Sequence, residues 1–417
     1  MKYYLCIDMK TFYASVECTL RGLDPFKTDL IVADPSRGKG SVCLAITPKM
    51  KKRGIKNRCR VYEIPKYIKP IVAKPRMKKY IEYSVKVYSI YLKYVAPEDI
   101  HVYSIDEAFL DITNYIKMYK KSPKEIAIMI ISDIYETLHL TATCGIGTNM
   151  YLSKIALDII SKHSSDNIGY LDEKLYQEKL WHHTPLTDFW RIGRGIENRL
   201  AKLHIKDMYD LAHFNENRLY KEFGIDAKLL IDHAWGIETC TIKDIKNYKP
   251  KSNSLSNNQI LFKDYDFEGA KIVLIEMIDN LVLNLVSKKL YTKKAGFIIG
   301  YSKDIIKPQN ITVNFKYHTN SFSKIKNELL LEYDYRISKN YPIRKIGIYF
   351  SNLTDKRIEQ LDLFSIKEKE LNDSKVEDAM NIIKEKYGKN SILRAVSYTE
   401  NANQINRNKL IGGHNGQ

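Results

Sequence analysis

The sequence predicts an α+β chain of several domains, and three observations carry that prediction. Over residues 1 to 163, short apolar runs alternate with stretches of helical apolar spacing. Their order is close to βαββαβα, which suits a ferredoxin-like sheet with helices on one face. Residues 164 to 240 are helical in pattern and broken by Gly193, Gly195, Gly224 and Gly236, as in a small all-helical domain. From about residue 259 to 352 strands and helices return, which calls for a further mixed unit. A chain of 417 residues, 44% hydrophobic and 28% charged, is long enough to give each of these units a core.

Taken in order, Tyr3-Tyr4-Leu5-Cys6-Ile7-Asp8 is an apolar run ending in an acid. It reads as a buried strand with its carboxylate at the carboxyl end, where ligands usually sit. Between about Ile31 and Ile64, apolar runs alternate with Gly and Pro, and Lys49, Lys51, Lys52, Arg53, Lys56, Arg58 and Arg60 crowd together. This predicts a small basic module inserted after the first strand. Residues 76 to 95 have helical spacing, and the strands HVYSI and AFLDI follow, meeting at or near Asp106 and Glu107. A helix over about 123 to 138, the strand LTATCGIG and a helix from Asn149 to about Ser161 complete the first unit. The polar stretch 241 to 258 reads as a linker. Beyond it, 268 to 288 predicts an amphipathic helix, and AGFIIGYS, NITVNFKY and RKIGIYF predict strands. After Asn352 comes a charged tail with one helix, Lys375 to Tyr387, opened by the capping box Ser374-x-x-Glu377 and closed by Gly388. Gly412 to Gln417 read as disordered.

The formal net charge is +18, so a polyanion is the favoured partner, because each phosphate neutralised by Lys or Arg releases a condensed counterion. The bland alternative is a composition merely rich in Lys, Ile, Asn and Tyr. MKYYLCIDMK is too soon acidic for a signal peptide, and no run approaches the roughly 20 apolar residues of a membrane span. A cytoplasmic protein is expected. Cys6, Cys18, Cys43, Cys59, Cys144 and Cys240 are scattered without CxxC spacing, so they read as reduced packing residues.

The carboxylates carry the chemistry. Phosphoryl transfer with two cations a few Å apart needs two or three acids from different strands, and Mg2+ prefers carboxylate oxygens. Asp8 ends one predicted strand, whereas Asp106 and Glu107 are neighbours, which in a regular strand point to opposite faces. They can share a site only at a turn or bulge. The ordinary reading of any one such acid is a solvated turn residue.

Two segments together change that weighting. Asp8-Met9-Lys10-Thr11-Phe12-Tyr13-Ala14-Ser15-Val16-Glu17 and Tyr103-Ser104-Ile105-Asp106-Glu107-Ala108-Phe109 resemble the two signature segments of Y-family translesion DNA polymerases, the DinB/UmuC superfamily. The resemblance runs in order from residue 1 to about 355, and KNRCRVYEIP with the closing IGGH looks closest to the UmuC-like branch of Gram-positive bacteria. It implies a multidomain right-hand polymerase: a ferredoxin-like palm (1–11 and 75–163), small α/β fingers (12–74), a helical thumb with a helix-hairpin-helix (164–240) and an α/β little finger (259–355). The 241–258 linker and a 356–417 tail with a clamp-binding peptide complete the expected organisation.

By the same resemblance, Asp8, Asp106, Glu107 and the backbone carbonyl of Met9 would hold two Mg2+ ions, or Mn2+ in their place, with Asp106 and Glu107 catalytic. Phe12 and Tyr13 would meet the incoming dNTP, Tyr13 as the steric gate whose ring clashes with a 2′-hydroxyl. Tyr13 as an ordinary helix-face aromatic is the alternative. Lys51 and Lys154 stand where the family neutralises the triphosphate. One departure is Pro48, which occupies the place of a triphosphate-binding tyrosine in many members and has no side-chain donor.

Phe189-Trp190-Arg191-Ile192-Gly193-Arg194-Gly195-Ile196 resembles the hairpin of a helix-hairpin-helix, whose backbone N–H groups hold DNA phosphates; a plain Gly turn is its rival. Arg191, Gly193, Arg194 and Gly195 are the candidate DNA-binding residues there. Lys288, Lys289, Lys293 and Lys294 would follow the duplex backbone, although elsewhere such a run is a solvated face. Gln360-Leu361-Asp362-Leu363-Phe364 looks like a sliding-clamp peptide, with Gln360, Leu361, Leu363 and Phe364 as its anchors. The expected function is low-fidelity, template-directed translesion synthesis on primer-template DNA in damage tolerance, with the clamp and other SOS proteins as partners. The rivals are a catalytically impaired repair or checkpoint protein on the same fold, and a nucleotide cyclase, which explains neither the helix-hairpin-helix nor QLDLF.

Overall fold

A computed structural model of the chain describes residues 1–250, 253–355 and 367–416. It forms two compact units, 1–248 with 414–417, and 249–413. The α+β class is borne out.

The first unit starts with β1 (Tyr4–Met9), whose residues alternate too little to leave a solvent face; Leu5, Cys6 and Ile7 are fully buried. Helix α1 (Phe12–Thr19) follows at once. The strands β2 (Leu30–Val32), β3 (Ala45–Ile46) and β4 (Ile71–Ala73) form a three-stranded sheet with β2 in the middle, and α2 (Pro48–Lys52) begins after β3. This is the basic module that the apolar runs between Ile31 and Ile64 predict. Its core is small, built on Ile31, Cys43, Ile46 and Met50.

The main sheet takes β5 (Ile100–Val102), β6 (Glu107–Asp111), β7 (Ala142–Gly147) and β8 (Ile168–Leu171), in the order β5-β6-β1-β7-β8. All neighbours are antiparallel except β7 and β8. Its helices are α3 (Met77–Tyr91), α4 (Tyr115–Tyr119), α5 (Pro123–Leu138) and α6 (Met150–Ile155). Helix α5 starts where Ser122 and Glu125 form a reciprocal capping box with Pro123 at the first position. A π-helical turn, Ala156–Ile160, continues α6. Gly145 and Gly147 let α6 and this turn lie directly on β7: a Cβ at Gly145 would come 2.0 Å from the Ser153 carbonyl oxygen, so any larger residue would drive helix and strand apart.

Six helices follow: α7 (Glu173–Leu180), α8 (Arg194–Lys202), α9 (Met208–His213), α10 (Glu216–Phe223), α11 (Asp226–Ala234) and α12 (Ile242–Asn247). The first five share one apolar core with α6, which Tyr151, Tyr176, Phe189 and Leu200 help to fill.

In the second unit β9 (Ser254–Tyr265), β10 (Tyr291–Tyr301), β11 (Gln309–Thr319) and β12 (Ile343–Thr354) form an antiparallel sheet in the order β11-β10-β12-β9. Against it pack α13 (Phe267–Ser287) and α14 (Phe322–Arg336), and the apolar stripe of α13 supplies Val273, Met277, Leu281 and Leu285 to the core. Helix α15 (Lys367–Tyr387) and α16 (Gln404–Arg407) complete it.

Four expectations are corrected. The linker 241–258 contains α12, capped by Thr241 and Asp244, and the first residues of β9. β9 lies at the sheet's edge and buries few side chains, so its polar sequence does not betray a strand. The 356–417 stretch is not a tail throughout: α15 begins at Lys367, and the segment after it is tied to α13. Arg394 pairs with Glu377 (2.6 Å) and with Asp279, and Glu276 accepts the backbone N–H of Asn403 (2.8 Å) and of Gln404. Ser374 is therefore inside a helix, not at its cap. Asn415 and Gly416 are held too, for Asn415 Nδ2 donates to the Pro75 carbonyl (2.9 Å) and Lys78 N–H to the Gly416 carbonyl (3.2 Å), where the sequence reads as disordered. Gln360, Leu361, Leu363 and Phe364 lie outside the described residues.

Candidate active site

β1 and β6 run side by side with Asp8 opposite Glu107. Asp106 precedes β6 in the turn from β5, where the Tyr103 and Ser104 N–H groups both donate to the Glu107 carbonyl (3.0 Å each). The Met9 N–H donates to the Asp106 carbonyl (3.0 Å) and draws this turn against the end of β1. The turn removes the objection that sequence neighbours face opposite ways: Asp106 is out of the pleat, and both it and Glu107 act electrostatically on Asp8. Burial first, then repulsion from Asp106 and Glu107, pushes the Asp8 carboxyl up to about 8.

The donor set fits a hard divalent cation. A buried Asp8 carboxyl whose ionisation is opposed by two neighbouring carboxylates is the chemistry that Mg2+ or Mn2+ relieves. Each acid of the pair nevertheless has a protein partner. Asp106 Oδ1 accepts from Ser104 Oγ (2.7 Å), and Glu107 Oε1 accepts from Lys154 Nζ (2.8 Å) and Cys6 Sγ (3.1 Å). Lys154 also reaches Asp158 Oδ2 (3.0 Å). Among the described residues, no three His, Cys, Asp or Glu side chains stand converged as a closed metal cage.

Phe12 is buried, and Tyr13 is half-buried with its ring stacked on Tyr80 at 4.4 Å between centroids. The Tyr80 hydroxyl donates to Glu17 Oε1 (2.8 Å), and Arg76 forks onto the same carboxylate (3.0 and 2.7 Å). This network cross-links α1 to α3 beneath Tyr13. Lys51, on α2, is exposed by surface area and in electrostatic reach of Asp8; partial desolvation of its ammonium by the surrounding protein lowers its pKa, and Asp8 opposes the shift. A cavity of about 220 Å3 opens beside the acidic pair, lined in part by Tyr88, Tyr91, Val102 and Ile105.

Further along the unit, Arg191, Gly193, Arg194 and Gly195 are all exposed, and Gly193 is the N-cap of α8. Arg191 adopts a left-handed φ of 73° and covers the Trp190 ring. A Cβ at Gly193 or Gly195 would meet nothing within 4 Å, so these glycines leave the helix start open to a ligand rather than relieve an internal clash. In the second unit, Lys288, Lys289 and Lys293 are exposed and Lys294 is partly so, at the turn from α13 into β10.

Sequence reasoning missed Cys6, Ser104, Asp158 and the Glu17–Arg76–Tyr80 network. Two signals were available. Cys6 precedes Asp8 by two residues and so shares its face of β1, and Asp158 follows Lys154 by one helical turn.

Residues 7–158 match the impB/mucB/samB family, and residues 252–363 match the impB/mucB/samB family C-terminal domain. UvrX of Bacillus subtilis (strain 168), a protein provisionally named for UV-damage repair, is 34% identical over 99% of this chain and 97% of its own. DNA polymerase IV 2 of the same organism is 28% identical over 99% of this chain and 98% of its own. Among solved structures, the Y-family DNA polymerase chimera Dbh-Dpo4(243-245)-Dbh superposes with a TM-score of 0.66 at 22% identity, over 84% of this chain and 98% of that one. The chain belongs to the impB/mucB/samB family, the DinB/UmuC-type Y-family of DNA-directed DNA polymerases.

Proposed function

We propose that the protein adds dNTPs to the 3′ end of a primer on a DNA template, with a site open enough to copy damaged bases at low fidelity. The observation that carries this reading is the pairing of Asp8 with Glu107 across β1 and β6, with Asp106 drawn against the end of β1 by the Met9 N–H. These carboxylates, with the Met9 carbonyl, would hold two Mg2+ or Mn2+ ions, which when bound would supply activation of the attacking 3′-hydroxyl and neutralisation of the departing pyrophosphate. Phe12 and Tyr13 bound the sugar of the incoming nucleotide, and Tyr13 excludes a 2′-hydroxyl. Lys51 and Lys154 meet the triphosphate.

In this reading residues 1–11 and 75–163 are the palm, 12–74 the fingers, 164–240 the thumb and 259–355 the little finger. The start of α8, with Arg191, Gly193, Arg194 and Gly195, holds backbone phosphates, as do Lys288, Lys289, Lys293 and Lys294. Gln360 to Phe364 dock on the sliding clamp. No helix among the described residues is long and apolar enough to cross a membrane. In this reading the protein works in the cytoplasm, alongside other SOS proteins.

The test is extension of a primed template by the purified protein with Mg2+ and dNTPs. Asp106→Ala is expected to lower extension by about 10²- to 10³-fold or more while DNA binding persists. Full extension by that variant would overturn the site. DNA binding without extension by the parent protein would favour the catalytically impaired repair protein instead.

A further inference from the structure

The acidic cluster already holds a cation of its own. Lys154 Nζ sits on Glu107 Oε1 and on Asp158 Oδ2, and the side chains of Lys154 and Glu107 are each only 10% exposed. Little water or salt screens the pair. Asp158 belongs to the π-helical turn that follows α6, an arrangement that often marks a working site. Cys6 Sγ donates to the same Glu107 oxygen, and Ser104 takes Asp106. An ammonium and a divalent cation on one carboxylate would stand a few Å apart and repel each other, so the two occupancies compete.

We propose that Lys154 is a latch operated by nucleotide. Without nucleotide its ammonium holds Glu107 and competes with the divalent cation for that carboxylate; the triphosphate of an incoming nucleotide draws the ammonium off and frees Glu107. Asp158, one turn along, keeps the lysine tethered through the exchange, and Cys6 keeps Glu107 oriented after it. The proposal rests on the reading of Asp8, Asp106 and Glu107 as metal ligands and of Lys154 as a triphosphate-binding residue. Linkage makes the effect reciprocal: nucleotide tightens metal binding by the factor by which metal tightens nucleotide binding, typically about 5- to 150-fold.

The experiment titrates the full chain with Mn2+ and follows the free ion by electron paramagnetic resonance, first without nucleotide. Lys154→Met is expected to bind Mn2+ about tenfold more tightly than the parent, and Lys154→Arg, which keeps the charge, to resemble the parent. With a dATP analogue carrying an α,β-imido bridge, corrected for Mn2+ held by the analogue itself, the parent gains affinity and Lys154→Met gains little. Lys154→Gln gives the same readout should the methionine variant not fold. Equal or weaker Mn2+ binding by the neutral variants without nucleotide would overturn the latch. The double variant Asp8→Asn with Asp106→Asn separates the two levels. If it still takes up Mn2+ as the parent does, the metal-site reading itself falls; if its uptake is lost while Lys154→Met shows no gain, only the latch falls.

Discussion

Asp106 and Glu107 are adjacent in the chain, and what lets both bear on Asp8 is the turn between β5 and β6. The acids themselves were legible through the two segments that hold them, which resemble the family's signature segments; a single carboxylate closing an apolar strand reads as a solvated turn residue. Their partners were not. Cys6 and Lys154 meet on one Glu107 oxygen although they come from β1 and α6, elements far apart in sequence. The same holds for Tyr13, whose position in its motif is visible but whose support by Tyr80, Glu17 and Arg76 is not. If Tyr13 excludes a 2′-hydroxyl by bulk, Tyr13→Ala should raise the rNTP-to-dNTP ratio of kcat/KM by about tenfold or more, measured by single-nucleotide insertion. An unchanged ratio would remove Tyr13 from sugar selection.

Elements with strong local signals lie close to where the pattern puts them. Helix α5 has its capping box, and α13 its long apolar stripe. β9 escapes a reading of the pattern because an edge strand needs few apolar residues, and such a polar run looks like linker. The extent of α15 and the docking of the segment after it escape for another reason: they depend on charge pairs between distant residues. Arg394 forks between Asp279 of α13 and Glu377 of α15 and lies over the Phe322 ring, with Glu377 only 1% exposed. Removing one partner strands buried charge, so Arg394→Met is expected to destabilise the second unit by about 3–5 kcal/mol. Urea unfolding checks this, and a loss below about 1 kcal/mol would mean the pair is held only loosely.

At the scale of the molecule, a formal charge of +18 on a chain of this family makes DNA affinity strongly dependent on salt. Replacing Lys288, Lys289, Lys293 and Lys294 by Gln should flatten the slope of log K against log salt by roughly 0.9 for each phosphate that is no longer neutralised. An unaltered slope would make them a solvated face. Deleting Gln360 to Phe364 should spare basal extension and remove stimulation by the sliding clamp; stimulation that survives would refute the clamp peptide. By itself the sequence determined the α+β class, the order of the strongly apolar elements and the candidate acids, because apolar periodicity and turn residues are local properties of a chain. Tertiary structure alone decided which donors hold Glu107, what supports Tyr13, and that residues 367 to 413 join the second unit. Those outcomes depend on pairs of side chains brought together from opposite ends of a unit, and no spacing along the chain encodes such a distance.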